Sequence, residues 1–304
     1  MGFIRSIILN RNFILVLAVV GGLVFGDYAN HLKEFNVIIL AVTMTFSMTG
    51  LDILLLNSFR KVVGPMIAGI FFNYFIFGTV ILTLAWLLMP TDELFYGFVV
   101  IVAAPPGVAI IPFSYMLKGK VDYAIIAVTG GFLASVFLAP IIVEVFAKSK
   151  GIQPFYLFVT MLQLVVVPLL VAQLLRLKRI FPFIQTIRGK VVDWGFALLI
   201  FVAVGVNRQV FFTNPKILLL VSLTIFLSIF GLSAIHEFVA RRIGVERSVR
   251  VTQSMLIAIK SSGFSVFTAL ALFGQEAAIP SALLAVIVLF YLIYLSLRAN
   301  RGKS

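Results

Sequence analysis

One lysine and two interrupted apolar runs are the features of this chain best placed to do chemistry. Lys260 sits in Ile259-Lys260-Ser261-Ser262-Gly263, within an apolar run from Val251 to Phe273. The other run, Leu94 to Leu117, is interrupted by Ala104-Pro105-Pro106-Gly107 and continues through Ser114. A lysine at the centre of a membrane helix costs about 2.5–3.5 kcal/mol to insert, so something must hold it. Carbonyls of a neighbouring half-helix, Asn73, or loss of the proton are the three ways open. Capping of carbonyls and binding of an anionic cargo are equally weighted roles for it, and they do not exclude each other. Pro-Pro-Gly cannot continue a helix, because two N–H donors are missing and the rings clash with the preceding turn. The half-helix that follows presents free N-terminal amides, which favour anions. The candidate substrate- or ion-binding residues are therefore Pro105, Pro106, Gly107 and Ser114 at the first break, and Lys260, Ser261, Ser262 and Gly263 at the second. Asn73 and Thr129, at matching depth in other runs, join them.

Other chemistries find fewer residues. With no cysteine there is no disulfide, thiolate metal site or cysteine nucleophile. His31 and His236 lie near the ends of apolar runs and form no cluster. Asp52 is the nearest acidic residue in depth, while Glu144, Asp193 and Glu237 fall near run ends and are expected to be solvated. Thr43, Ser47, Ser135, Thr224 and Ser228 read as groups that bond to their own helix carbonyls; Gln163 is bulkier and harder to hide. Paired aspartates, Ser/His pairs and metal motifs at depth are missing from the sequence, so an enzyme is not expected, and no cofactor or metal is implied.

The elements that must position these residues are membrane helices. Hydrophobic residues make up 62% of the 304, charged residues only 12%, where a soluble domain carries about a quarter charged. One membrane domain over residues 1–304 is expected. Ten runs are each long enough to cross a bilayer: Phe13–Ala29, Val37–Asn57, Val62–Met89, Leu94–Leu117, Val121–Ala147, Pro154–Leu175, Val191–Phe212, Ile217–Phe238, Val251–Phe273 and Ala278–Leu297. Arg5 and Arg11 precede the first run, which reads as a retained span because no clear cleavage site follows it.

The formal charge of +13 is not one patch, which argues against nucleic acid. With the N-terminus in the cytoplasm, eighteen of the 24 Lys and Arg fall on the inner side and five on the outer, Lys260 being the remaining one. That asymmetry predicts both termini cytoplasmic, in the cell membrane. A bend near Ser149-Lys150-Gly151 divides the chain into five runs and five runs, about 1–149 and 150–304. Five is odd, so the second half enters from the opposite side, and the broken run is the fourth in each. Broken helices at corresponding places in two inverted halves point to the binding site of a secondary transporter.

At these breaks the chain resembles the bile acid:sodium symporter family, in the superfamily that also holds auxin efflux carriers and arsenite permeases. Ala104-Pro105-Pro106-Gly107, Ser114-Tyr115-Met116-Leu117-Lys118-Gly119 and Leu138-Ala139-Pro140 stand where the family has A-P-G-G, a T-Y-x-A-K-G-like stretch and a second L-A-P-like element. Ile259-Lys260-Ser261-Ser262-Gly263 stands where it has M-Q-N-S-G. The resemblance implies a panel of spans 1, 2, 6 and 7, a core of spans 3–5 and 8–10, and alternating access around crossed helices 4 and 9. In sodium-coupled members a Ser-Asn pair follows the first break and helps bind sodium; here Ile110-Ile111 stands there. A ligand Glu four residues before the Gln of the second break is Leu256 here, and that Gln is Lys260. Asn73 matches a ligand Gln of the third span once a small gap is allowed. Ile and Leu side chains offer no oxygen to a hard cation.

The expected protein is thus an all-α secondary transporter of a small organic anion, embedded in lipid and not coupled to sodium. A sodium-coupled symporter, or a channel or sensor on the same fold, is the alternative. Saturable turnover and sodium dependence distinguish them.

Overall fold

The structure, a computed structural model, describes residues 11–51, 59–147, 159, 162–206 and 208–301. Asp52 and the expected bend at Ser149-Lys150-Gly151 lie outside the described residues, as does Arg5. Among the described residues the chain is helical, and its one β-type pairing is a single antiparallel bridge between Pro106 and Lys260. Large apolar side chains face outward along the helices, among them Trp86, Phe137, Leu174 and Phe290. An apolar exterior with backbone polar groups closed inside helices is what a bilayer demands. This is an all-α, multi-pass membrane protein.

Among the described residues five helical stretches are long and apolar enough to cross a membrane, or six if the bent first pair counts as one span. In chain order the helices are α1 (Arg11–Val24), α2 (Gly26–Leu32), α3 (Asn36–Met48), α4 (Phe59–Ile70), α5 (Phe77–Leu88), α6 (Asp92–Ala103), α7 (Ile110–Met116) and α8 (Val121–Ala147). They continue with α9 (Val167–Leu175), α10 (Phe181–Val206), α11 (Arg208–Thr213), α12 (Pro215–Phe226), α13 (Leu232–Arg242), α14 (Arg247–Ala258), α15 (Ser262–Phe273) and α16 (Gln275–Arg301). A π-turn, Phe71–Ile76, joins α4 to α5 in one rod, and another, Leu227–Gly231, joins α12 to α13. The runs expected to be broken are broken: α6 and α7 flank the first interruption, α14 and α15 the second.

Two expected boundaries are corrected. The first run is not one straight span: it bends by 103° between α1 and α2. The bend lays α2 along α10, where Arg208 at the start of α11 donates to Asp27 at 2.7 Å. The seventh run starts at Phe181 rather than Val191. Pro182, in the first turn, opens the helix where a missing N–H costs nothing. The basic residues Arg188 and Lys190 therefore lie on α10 and not in a connection.

The helices pack as two groups. α1, α2, α3 and α9 lie against one another or against α10. α4 to α8 and α12 to α16 pack mainly among themselves, with α6 at their centre against α5, α8, α15 and α16. The groups meet where α10 touches α15 and α16 and where α3 touches α15. Three side chains also fasten the end of α3, whose last carbonyls lack helical partners. Arg176 donates to Thr49 O at 2.7 Å, Arg188 to Ser47 O at 3.3 Å and Gln173 to Leu51 O at 3.3 Å.

Candidate functional site

The site is built on carbonyls that proline leaves without donors. In α6 the carbonyls of Ile101 and Val102 would accept from residues 105 and 106, which are Pro105 and Pro106 and have no N–H. The residue before a proline is driven to extended backbone, and Ala104 has φ −61°, ψ 147°. Ile259, after α14, is extended too, at φ −108°, ψ 106°. The two extended stretches cross and pair: Gly107 N–H donates to Ile259 O at 3.0 Å, and Ser261 N–H to Pro105 O at 2.9 Å. The approach is close enough to require glycine. A Cβ on Gly107 would lie 2.8 Å from Ile259 Cγ2, and one on Gly131 of α8 would lie 2.5 Å from Pro106 Cγ.

Lys260 fills the space between the breaks. Its ammonium donates to Val102 O at 2.9 Å, Ala104 O at 2.7 Å and Asn73 Oδ1 at 2.7 Å. Those three bonds use all three of its protons. The Tyr74 ring lies 4.1 Å away, a cation–π contact. Lys260 is 2% exposed, and no carboxylate touches it among the described residues. Asn73 completes the cage from the π-turn between α4 and α5. Its Nδ2 donates to Leu256 O at 2.7 Å, a carbonyl freed because α14 stops at Ala258. One amide thus bonds the end of α14 and the lysine that caps α6. Tyr74 ties the same turn to α8 by donating to Gly131 O at 3.0 Å.

The structure brings Lys260, Asn73, Pro105, Pro106, Gly107 and Ser261 together. The others stand around or away from this centre. Ser262 opens α15 and Gly263 packs beneath Phe196 of α10, at the meeting of the two helix groups. Ser114 Oγ is 3.4 Å from Thr252 Oγ1, between α7 and α14. Thr129 donates to Ile125 O of its own helix at 2.8 Å. Ile110, Ile111 and Leu256, which the resemblance at the two breaks sets against sodium ligands, are buried in the apolar core. Glu237 is not free in solvent: its carboxylate lies between Arg241 and Arg250.

Space for a ligand lies beside the crossing rather than in it. The cavity at Gly107, Lys260, Ser261 and Ser262 holds about 50 Å³. A larger crevice, about 750 Å³, begins at Val108 and Ala109 and runs between α7 of one helix group and α3 and α10 of the other. Its α10 wall carries Gln185, Arg188, Val192, Asp193 and Phe196. Val108, Ala109 and Phe196 border both spaces, so the crevice reaches the crossing. Gln185 and Arg188 are not expected at the site from the sequence because residues 181–190 read as a connection, and Asp193 is not because it reads as a solvated residue near the end of a run. The signal was present: positions 185, 188, 192 and 196 follow one helical face, and Pro182 marks a helix start.

A family model described as the Sodium Bile acid symporter family matches residues 37–214. The match covers the first break and both walls of the crevice and ends before α14, so Lys260 falls outside it. No curated protein matches the sequence.

Proposed function

This chain belongs to the sodium bile acid symporter family, and from that premise we propose that it carries a small organic anion across the membrane by alternating access, without sodium. Transport of a small molecule within lipid follows from the family. The anion and the missing coupling ion are readings of this chain's own residues. The observation that carries the anion is the crevice, whose two walls come from different helix groups and whose polar α10 face bears a guanidinium at Arg188. Such a wall binds carboxylate or phosphate in two-pronged fashion, and a space bounded by two packed groups opens and closes as they rock.

In this reading α1 to α3, α9 and α10 form the panel, the remaining long helices form the core, and the halves are inverted five-span repeats making ten spans. Supporting it are the broken run at the fourth place of each half and the π-turn in the third-run rod of each half. Lys260 acts as a tethered cation that holds the crossed helices in place of a bound ion. Ser262 and Gly263 border the route from the crevice to the crossing, with Ser114 and Thr129 supporting it from the core.

Two measurements test this. In proteoliposomes loaded with small organic anions, counterflow of a transported anion saturates, and Arg188→Gln weakens its apparent affinity by about tenfold, the loss of one charge-assisted bond. Flux that rises linearly with concentration would make the protein a channel and overturn the carrier reading. The orientation follows from the charge asymmetry, with both termini cytoplasmic. The chain has no cysteine, so single-cysteine variants report cleanly. A membrane-impermeant thiol reagent added to whole cells labels Lys216→Cys and spares Arg241→Cys; the reverse pattern would invert the topology.

A further inference from the structure

A second large cavity, about 560 Å³, lies inside the core group between α13, α14 and α16, lined by none of the residues that border the α7–α10 crevice. It is strongly basic. Arg241, Arg247, Arg250 and Arg298 line it, and Glu237 is its one carboxylate. That carboxylate is already committed: it accepts from Arg241 at 3.0 Å and lies 3.4 Å from Arg250 Nε. Arg250 Nε is buried and has no aligned hydrogen-bond acceptor. Arg247 and Arg298 have no carboxylate partner among the described residues, so the cavity holds more positive charge than the protein neutralises. Apart from Ser233 and Ser254 its remaining lining is apolar or aromatic, including Phe230, Tyr291, Tyr294 and Leu295. Phe230 packs edge-on against Tyr291 at 5.3 Å between ring centres.

We propose that this cavity binds the phosphate head group of an anionic membrane lipid, with the first part of an acyl chain lying over the aromatic side. The arginines sit at helix ends, Arg241 closing α13, Arg247 opening α14 and Arg298 in the last turn of α16. That is the depth at which phosphates of a bilayer leaflet stand. Guanidinium forks match phosphate oxygens, and basic pockets between membrane helices are suited to lipid head groups. A free, fully hydrated anion gains nothing from Phe230 and Leu295, whereas a lipid covers both. The adjoining outer surface is apolar as well, with Phe226, Phe238 and Phe290 exposed. The consequence is structural. α14 runs from Arg247 to Ala258, two residues short of Lys260, so a phosphate clamped at its start braces the broken segment against α13 and α16 and leaves the crevice open.

The test is lipid binding by the purified full chain in a neutral detergent, which does not depend on any transport activity. Thermal unfolding is followed while phosphatidylglycerol, phosphatidylcholine or inorganic phosphate is added. Phosphatidylglycerol raises the unfolding temperature in a saturable way and phosphatidylcholine does not. Arg247→Gln and Arg298→Gln are at exposed positions that tolerate change. Each weakens the response to phosphatidylglycerol about fivefold, the equivalent of about 1 kcal/mol per basic residue near an anionic surface. Lys190→Gln, exposed on α10 outside the cavity, leaves it unchanged. An equal response from the Arg247→Gln/Arg298→Gln protein, or an equal loss in Lys190→Gln, would reduce the effect to general charge attraction and overturn the site. Inorganic phosphate matching phosphatidylglycerol at equal concentration would reassign the cavity to a soluble anion.

Discussion

Lys260→Met lowers the thermal unfolding temperature of the purified protein more than Lys260→Gln or Asn73→Leu does. The ammonium supplies the donors for Val102 O, Ala104 O and Asn73 Oδ1, all buried. Methionine fills nearly the same volume and donates nothing. An acceptor left buried without a donor costs about 1–3 kcal/mol. Val102 O has no alternative partner, because the residue that would serve it is Pro106. Against this stands the relief of no longer burying an ammonium without a counter-charge, so the expected net loss is about 2–4 kcal/mol, below most of the ~3–9 kcal/mol that three stranded acceptors would cost together. Lys260→Gln is the informative companion. Its amide is one atom shorter but still donates, so it recovers part of the loss, and Asn73→Leu, which strands Leu256 O and one ammonium proton, falls between the two. If Lys260→Met unfolds at the same temperature as the unaltered protein, the cage contributes no stability and the tethered-cation reading fails.

Replacing sodium by choline at constant ionic strength leaves both the unfolding temperature and the uptake of a transported anion unchanged. A hard cation needs several oxygens converging at close range. The side chains that the resemblance sets against sodium ligands, Ile110, Ile111 and Leu256, are all packed in apolar surroundings. The oxygens that do converge at the crossing are occupied by Lys260. The fixed ammonium also repels a second cation brought within a few ångströms, strongly so where the effective dielectric is low. A saturable, several-fold stimulation by sodium would show that a cation site exists elsewhere and would return the protein to the sodium-coupled alternative.

The two breaks, the bonding of Lys260 to carbonyls and Asn73, and the helical class were legible in the sequence for a physical reason. Proline leaves carbonyls without donors, and a lysine in an apolar run must find acceptors; the two requirements answer each other at Val102 and Lys260. What was not legible depended on local geometry with a weaker signature. The 103° bend after Val24 has no proline to announce it. The start of α10 at Phe181 was hidden because Arg188 and Lys190 make residues 181–190 look like a polar connection, although Arg188 is there to close the end of α3 and to line the crevice. Charge alone does not separate a residue that marks a membrane boundary from one that does a task on a helix. The space beside the crossing could not be read either, since a crevice is a property of two packed groups and not of any one segment.

The π-turn that carries Asn73 has a consequence for comparing this chain with others. Such a turn is an α-helix with one residue added, and one residue corresponds to about 100° of rotation about the axis. Were Phe71–Ile76 to relax to regular α-helix, the residue facing Leu256 and Lys260 would be a neighbour of Asn73 in the chain rather than Asn73 itself. The resemblance sets Asn73 against a third-span ligand only with a small gap, and a gap is the mark such an insertion would leave. An alignment that forbids a gap within this helix would set the polar residue one step out of register. Deleting one residue just before Phe71 should therefore silence Asn73 while leaving its codon untouched.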